Sequence, residues 1–161
     1  MIVLSKQEQE FLQIIEDLNK PRGEGIDVGL KTRLHQGQIE VLDGLIKGYF
    51  KTIFCPSGRK FGKSELACYF LFYFALMYPN SACYYIAPEA SHGRKIIWDT
   101  SRLQNFLGAD TQKYCLEPKN IEMKLPFRNG SFIQVIGSEN YASANGLTPR
   151  AIVYDLSLIH I

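Results

Sequence analysis

Apolar residues recur at helical spacing between Gln7 and Leu18, where Phe11, Leu12, Ile14, Ile15 and Leu18 share one side, and Pro21-Arg-Gly-Glu-Gly25 then breaks the pattern. Residues 1–30 are expected to form an N-terminal helix and loop. The helical period returns from about Gln36 to Tyr49, with Ile39, Leu42, Leu45 and Ile46 on one face. Short apolar runs follow: Thr52-Ile-Phe-Cys55 stopped by Pro56, Ala82-Cys-Tyr-Tyr-Ile-Ala87 closed by Pro88, and Ala151-Ile-Val-Tyr154 ending on Asp155. Each reads as a buried strand. Between the first two lies an apolar run from Leu66 to Tyr78, too long for a strand, and a helix is expected from about Ser91 to Phe106. Strands alternating with helices predict an α/β fold with parallel strands joined by crossovers. Ile121–Phe127 and Ser131–Gly137 flank Arg128-Asn-Gly130, and Asn-Gly between alternating segments predicts a hairpin.

Composition narrows this picture only slightly. The 161 residues are 46% apolar, 21% charged and 12% aromatic, which excludes a disordered tail, a collagen-like repeat and a coiled coil and suits about one domain. A formal charge of +2 is too balanced to attract nucleic acid in bulk, so any DNA contact is expected through a local patch. Cys55, Cys68, Cys83 and Cys115 form no Cys-x-x-Cys pair and have no histidine at a metal-ligand interval. They read as free thiols in a reducing compartment. The start of the chain turns polar too early for a secretory signal, and the longest apolar run is shorter than the roughly 20 residues that span a bilayer. A cytosolic chain without a membrane partner is expected.

The segment richest in chemistry is Pro56-Ser-Gly-Arg-Lys-Phe-Gly-Lys-Ser64. A phosphate-binding loop needs glycines that let backbone N–H groups turn inward, a helix N-terminus behind them, a lysine for the β- and γ-phosphates and a hydroxyl for Mg²⁺. Gly62, Lys63 and Ser64 supply the last three positions. The front departs from the standard spacing, with Ser57 where glycine is usual and Gly58 one place later. A Gly-Lys-Ser triplet recurs by chance, but here a β-prone run leads in and a long apolar helix leads out, the strand–loop–helix setting that the mechanism requires. A solvated basic turn would leave unexplained why Arg59, Lys60 and Lys63 gather where a helix dipole already favours an anion. ATP, held by Ser57, Gly58, Arg59, Lys60, Phe61, Gly62, Lys63 and Ser64, is the expected cofactor. Asp155, a carboxylate at the C-terminal end of a strand, is the expected second Mg²⁺ ligand opposite Ser64.

These residues resemble the ATPase domain of the large terminase subunit of tailed bacteriophages, the motor that packages DNA into capsids, over nearly all of residues 30–155. Four segments carry the resemblance: the off-pattern loop with Arg59 just inside it; Leu34-His-Gln-Gly-Gln-Ile-Glu-Val-Leu42, similar to the family's adenine-reading segment, with Gln38 at the base-contacting position; Tyr84-Tyr-Ile-Ala-Pro-Glu-Ala-Ser91 followed by Trp98; and Gly146-Leu-Thr-Pro-Arg-Ala-Ile-Val-Tyr-Asp155. The resemblance implies a P-loop NTPase domain over residues 31–155 with a RecA-like parallel central sheet, truncated after the acidic (Walker B) strand. Lys63 would neutralise the β/γ-phosphates, and Ser64 and Asp155 would hold Mg²⁺. Arg59 would stabilise transition-state charge, a role worth about 10³–10⁵ in rate, or else be a phosphate-positioning or a purely solvated arginine. Implied partners are double-stranded viral DNA, the portal protein, the small terminase subunit and further copies in a homo-oligomeric ring, in the cytoplasm of an infected bacterium at the procapsid portal.

Two positions depart from the family. Asn145 stands where an arginine often precedes the glycine of the loop into the acidic strand, with Arg150 nearby on the strand approach. Leu156 stands where the glutamate that orients the attacking water belongs. Leu156-Ser-Leu-Ile-His-Ile161 matches one reading frame of a transposase adapter end used in sequencing libraries, so residues 156–161 are expected to be a non-native tail; a genuine strand extension is the competing reading. The family's fold inserts a further strand between the acidic strand and the loop strand. Without it, unpaired backbone and apolar faces are exposed. The 161-residue chain alone is therefore expected to be poorly soluble or molten and to hydrolyse ATP negligibly; a sharp cooperative melt with normal near-UV dichroism would contradict this.

Other readings are a helicase-type P-loop ATPase, whose gene would continue into a second motor core rather than an acidic nuclease domain, and a nucleotide-binding switch without turnover. His35 and His92 read as surface or capping residues, the aromatic run from Tyr69 to Tyr78 as a buried helix, and Arg94, Lys95 and Arg102 as a solvated face.

Overall fold

Helix α2, Lys63–Met77, is 15 residues long, and its sequence KSELACYFLFYFALM is apolar on nearly every side. Such a helix must be covered all round. Leu66, Cys68, Tyr69, Leu71, Phe72, Ala75 and Leu76 are buried along it. Glu65 in the first turn complements the positive end of the helix dipole. At the other end the last carbonyls are met from outside: the Asn129 Nδ2 donates to the Ala75 oxygen at 2.8 Å and to the Leu76 oxygen at 3.3 Å. A side chain from a distant hairpin thus closes the helix where Pro79 forbids its continuation.

The computed structural model describes residues 34–46, 52, 55, 60–140 and 148–155. The helix expected over 7–18, the loop residues Ser57, Gly58 and Arg59, Asn145 and the tail 156–161 lie outside them. Helix α1, Gln36–Ile46, fills most of the second expected helix. The strands are β1 (Ala82–Ala87), β2 (Lys124–Pro126), β3 (Phe132–Gly137) and β4 (Ala151–Tyr154), in the sheet order β2-β3-β1-β4. β1 runs parallel to β3 and to β4, and β2 is antiparallel to β3. The described residues thus form a mixed α/β fold with a four-stranded, mostly parallel sheet.

The sheet is buried most completely at its centre. All six residues of β1 are buried, as expected for a strand with neighbours on both edges and cover on both faces. Cys83, Tyr85 and Ala87, with Ile133, Val135, Ala151 and Val153, join the cluster formed by α2, whereas Ala82, Tyr84 and Ile86 meet Phe132, Ile136 and Ile152 on the other face. Burial pushes the Cys68, Cys83 and Cys115 thiols up to about 12, and none of the three is in a disulfide. These three are structural, not nucleophilic.

The expected hairpin is present, with Leu125 opposite Ile133. Its turn closes through the Phe127 N–H to the Ser131 oxygen at 2.8 Å, with Gly130 at φ 84. A Cβ on Gly130 would lie 2.1 Å from the Asn80 Oδ1, so the turn needs glycine for backbone and for space.

Two expectations need correction. The helix predicted from Ser91 to Phe106 is broken into α3 (Ala90–Gly93), a π-helical turn (Arg94–Trp98) and irregular turns beyond, before a 3₁₀ turn (Gly108–Asp110) and α4 (Thr111–Tyr114). The Asp99 N–H reaches back to the Arg94 oxygen at 2.7 Å, the Thr100 hydroxyl takes the Ile96 oxygen at 2.8 Å, and Ser101 adopts φ 52, so competing local bonds end the α-helical ladder. β4 was expected to be buried, yet only Ala151 is, and Tyr154 is 54% exposed. Among the described residues β4 has a partner on its β1 side alone. The strand expected over 52–55 has its central residues, Ile53 and Phe54, outside the described residues.

Candidate functional site

Helix α2 runs antiparallel to the parallel strands. The Tyr78 oxygen just beyond its C-terminus accepts from the Ser131 hydroxyl at 2.9 Å, at the start of β3, and the Arg150 guanidinium lies 3.9 Å over the Tyr78 ring, at the start of β4. A helix of this length spans about 22 Å, comparable to the strands, so Lys63 and Ser64 stand at the C-terminal edge of the sheet. Asp155 stands at that same edge, its N–H bonded to the Ile86 oxygen at 2.9 Å. Ser64 heads the stripe Cys68, Leu71 and Ala75, each 0% exposed, which turns it toward the sheet. Side chains alternate along β4, so Asp155 shares the α2 face with Ala151 and Val153. The structure therefore brings Ser64 and Asp155 to one edge and one face, with Lys63 exposed at the same edge.

The turn into α2 is conformationally unusual. Lys60 has φ 68 and Gly62 has φ 80. A non-glycine residue in this left-handed region costs about 1–3 kcal/mol, and such residues gather at ligand clamps. A Cβ on Gly62 would meet the Gln38 Nε2 at 2.5 Å.

Gln38 is 3% exposed and spends its amide on the loop. Its Nε2 donates to the Phe61 and Gly62 oxygens, each at 3.0 Å, and its Oε1 accepts from the His35 N–H at 2.9 Å. The His35 Nε2 lies 3.1 Å from the Phe61 oxygen, and the two rings meet edge to face at 4.8 Å. The N-terminus of α1 thus latches the loop just before α2. Both amide protons of Gln38 face loop carbonyls, so a contact from this side chain to a base would require one of them to move. Replacing Gln38 with alanine removes three hydrogen bonds of about 0.5–1.5 kcal/mol each, although the Gly62 oxygen keeps the Leu66 N–H at 3.0 Å and the Phe61 oxygen keeps the His35 ring. The substitution is expected to cost about 1–3 kcal/mol in urea denaturation; a loss below about 0.5 kcal/mol would mean the latch does not form in solution.

Asp155 has a partner that sequence reasoning missed. The Tyr85 hydroxyl donates to its Oδ2 at 2.5 Å. Burial first, and then this bond, push the phenol pKa well above its ordinary value, opposed by the Arg102 guanidinium. Tyr85 therefore remains the proton donor. The signal was present in the alternation of β1, which puts Tyr85 on the α2 face two register steps before Asp155.

The basic residues divide. Arg150 is at the opposite end of β4, stacked on Tyr78, so Arg150 and Asp155 do not share a site. Arg94 is tied to the Asn120 and Ile121 oxygens at 3.2 and 3.3 Å, a structural role instead of a solvated one. Among the described residues no group of three or more His, Cys, Asp or Glu is placed to hold a metal ion, and no helix is long and apolar enough to cross a membrane. The chain matches no protein-family model and no curated protein.

Proposed function

We propose that this chain is the nucleotide-binding part of an ATP-driven DNA-packaging motor of the large-terminase type, with the phosphates of ATP at residues 57–64 and Mg²⁺ shared by Ser64 and Asp155. One observation carries the reading: a helix N-terminus opened by left-handed Gly62 and bearing Lys63 and Ser64 lies on the same edge and face of a parallel sheet as the Asp155 carboxylate. Open α/β sheets bind ligands at that edge. A helix N-terminus favours anionic phosphate, and one hydroxyl and one carboxylate are the hard oxygen donors that suit Mg²⁺, whose remaining positions go to phosphate and water. Bound there, Mg²⁺ supplies neutralisation of phosphate charge. Lys63 adds a cation to the phosphates, the latch from Gln38 and His35 holds the loop in shape, and Arg59 adds charge stabilisation or positioning.

With Leu156 instead of a carboxylate after Asp155, the chain binds ATP without efficient turnover. The competing reading of residues 156–161 as genuine sequence favours a second reading, a nucleotide-binding switch. Double-stranded DNA, the portal protein, the small terminase subunit and a homo-oligomeric ring are the partners of the first reading alone. Calorimetric titration of the chain, fused to a soluble carrier, with ATP in Mg²⁺ and in EDTA tests the shared core: micromolar-range, Mg²⁺-dependent binding is expected, and no nucleotide binding overturns both readings. Restoring the gene's natural continuation past codon 155 separates them. Hydrolysis then supports the motor, and binding without hydrolysis supports the switch.

A further inference from the structure

We propose that Tyr85 is the positioning residue of the Asp155 carboxylate, holding it in one orientation for the metal through a hydrogen bond from the neighbouring strand. The inference rests on the reading of Asp155 as a Mg²⁺ ligand.

Asp155 follows the last residue of β4, the strand at whose end Tyr154 is 54% exposed. A carboxylate in such a place would sample several rotamers if its backbone alone were tied. Here two ties act together. The Asp155 N–H bonds the Ile86 oxygen at 2.9 Å and fixes the main chain, and the Tyr85 hydroxyl fixes the Oδ2 at 2.5 Å. Tyr85 can act as a rigid post because its ring is 2% exposed, set in the cluster of α2, and paired in register with Val153 on the same face. A tyrosine has two side-chain torsions, and burial in the cluster settles them, so little freedom remains to be lost at the hydroxyl.

The chemistry of the donor matters as much as its position. A lysine or arginine at this place would orient the carboxylate and also cancel its charge. A neutral phenol orients without neutralising, which leaves the negative charge available to a cation. Carboxylates that ligate metals are themselves hydrogen-bonded, and removing such a partner typically costs 10–100-fold in metal affinity or activity.

The test is the Mg²⁺ dependence of ATP binding to the carrier-fused chain, compared among the parent, Tyr85→Phe and Asp155→Asn. Phenylalanine keeps the ring and removes only the hydroxyl. The Mg²⁺ concentration for half-maximal binding is expected to rise about 10–100-fold in Tyr85→Phe, well beyond any change in ATP affinity measured in EDTA. A Tyr85→Phe midpoint equal to the parent's, with Asp155→Asn shifted, overturns the inference and leaves the metal reading standing. An unshifted Asp155→Asn overturns the metal reading itself. Should Tyr85→Phe fail to fold, fluorine NMR on 3-fluorotyrosine-labelled parent decides: one of the nine tyrosine resonances must move with Mg²⁺ and ATP together, not with ATP in EDTA, and must be displaced in Asp155→Asn. Absence of such a resonance also overturns the inference.

Discussion

Lys63→Ala is expected to lower ATP affinity by about 100-fold while leaving the melting temperature within about 2 °C of the parent. The first residue of α2 is exposed and outside the hydrophobic cluster, so its truncation removes no core packing, and most exposed substitutions change stability by about 0.5 kcal/mol or less. Binding is another matter. Hydrogen bonds to charged groups contribute about 1.5–3 kcal/mol each, and an ammonium among the oxygens of two phosphates makes at least one of them. At about 1.4 kcal/mol per decade this is roughly 10–150-fold in affinity, before any loss of charge neutralisation. Displacement of a fluorescent ATP analogue checks it. An affinity within threefold of the parent would remove Lys63 from the phosphate site and with it the reading of the loop.

The reading of Lys63 came from a triplet and its setting, and the setting was the legible part. The apolar run at Ala82–Ala87 announced a parallel strand because a strand buried on both faces has no polar alternation, and Ala151–Tyr154 announced another by its β-prone residues, although only Ala151 in it is buried. Asn129-Gly130 announced the hairpin because few sequences satisfy a left-handed turn. The segment after Ser91 misled for a physical reason. Its apolar spacing is helical, but spacing says nothing about whether Thr100 turns its hydroxyl back on the Ile96 oxygen or whether Ser101 leaves the helical region.

The site was legible as an inventory and not as a network. Sequence pattern singled out Gln38, yet not that its buried amide grips the loop at Phe61 and Gly62. It singled out Asp155, yet Tyr85 was only one of several aromatic residues in a strand, because the bond joins residues 70 positions apart. Asn129 is similar: its turn role was visible locally, and its second role, closing α2 from the far side of the sheet's edge, depends on tertiary approach. Contacts of this kind need a register and a helix direction, and neither is written in a period.

The second large effect concerns what aims the helix. Phe72 is 0% exposed, stacked on Phe106 at 4.7 Å and 22° and edge to face with Phe127 at 5.5 Å and 79°. Phe106 belongs to the irregular segment after the π-helical turn and Phe127 to the hairpin, so one ring ties α2 to both. Phe72→Ala is expected to cost about 3–5 kcal/mol in urea denaturation, a transfer loss plus a cavity that the two aromatic rings beside it cannot easily close. Against a total of about 5–15 kcal/mol for an ordinary domain, and with β4 paired on one side only among the described residues, that is enough to leave a large fraction unfolded. Phe72→Leu keeps most of the volume and is expected to cost less than about 1.5–2 kcal/mol. The pair also separates packing from function. Cys68, Leu71, Phe72 and Ala75, all 0% exposed, set the rotation of α2 and hence the side on which Ser64 stands. Mg²⁺-dependent ATP binding should accordingly fall with the folded fraction in Phe72→Ala and survive in Phe72→Leu. A Phe72→Ala chain within about 1 kcal/mol of the parent would mean that the aromatic core is not assembled in solution as described, and that the aim of Ser64 toward Asp155 rests on some other contact.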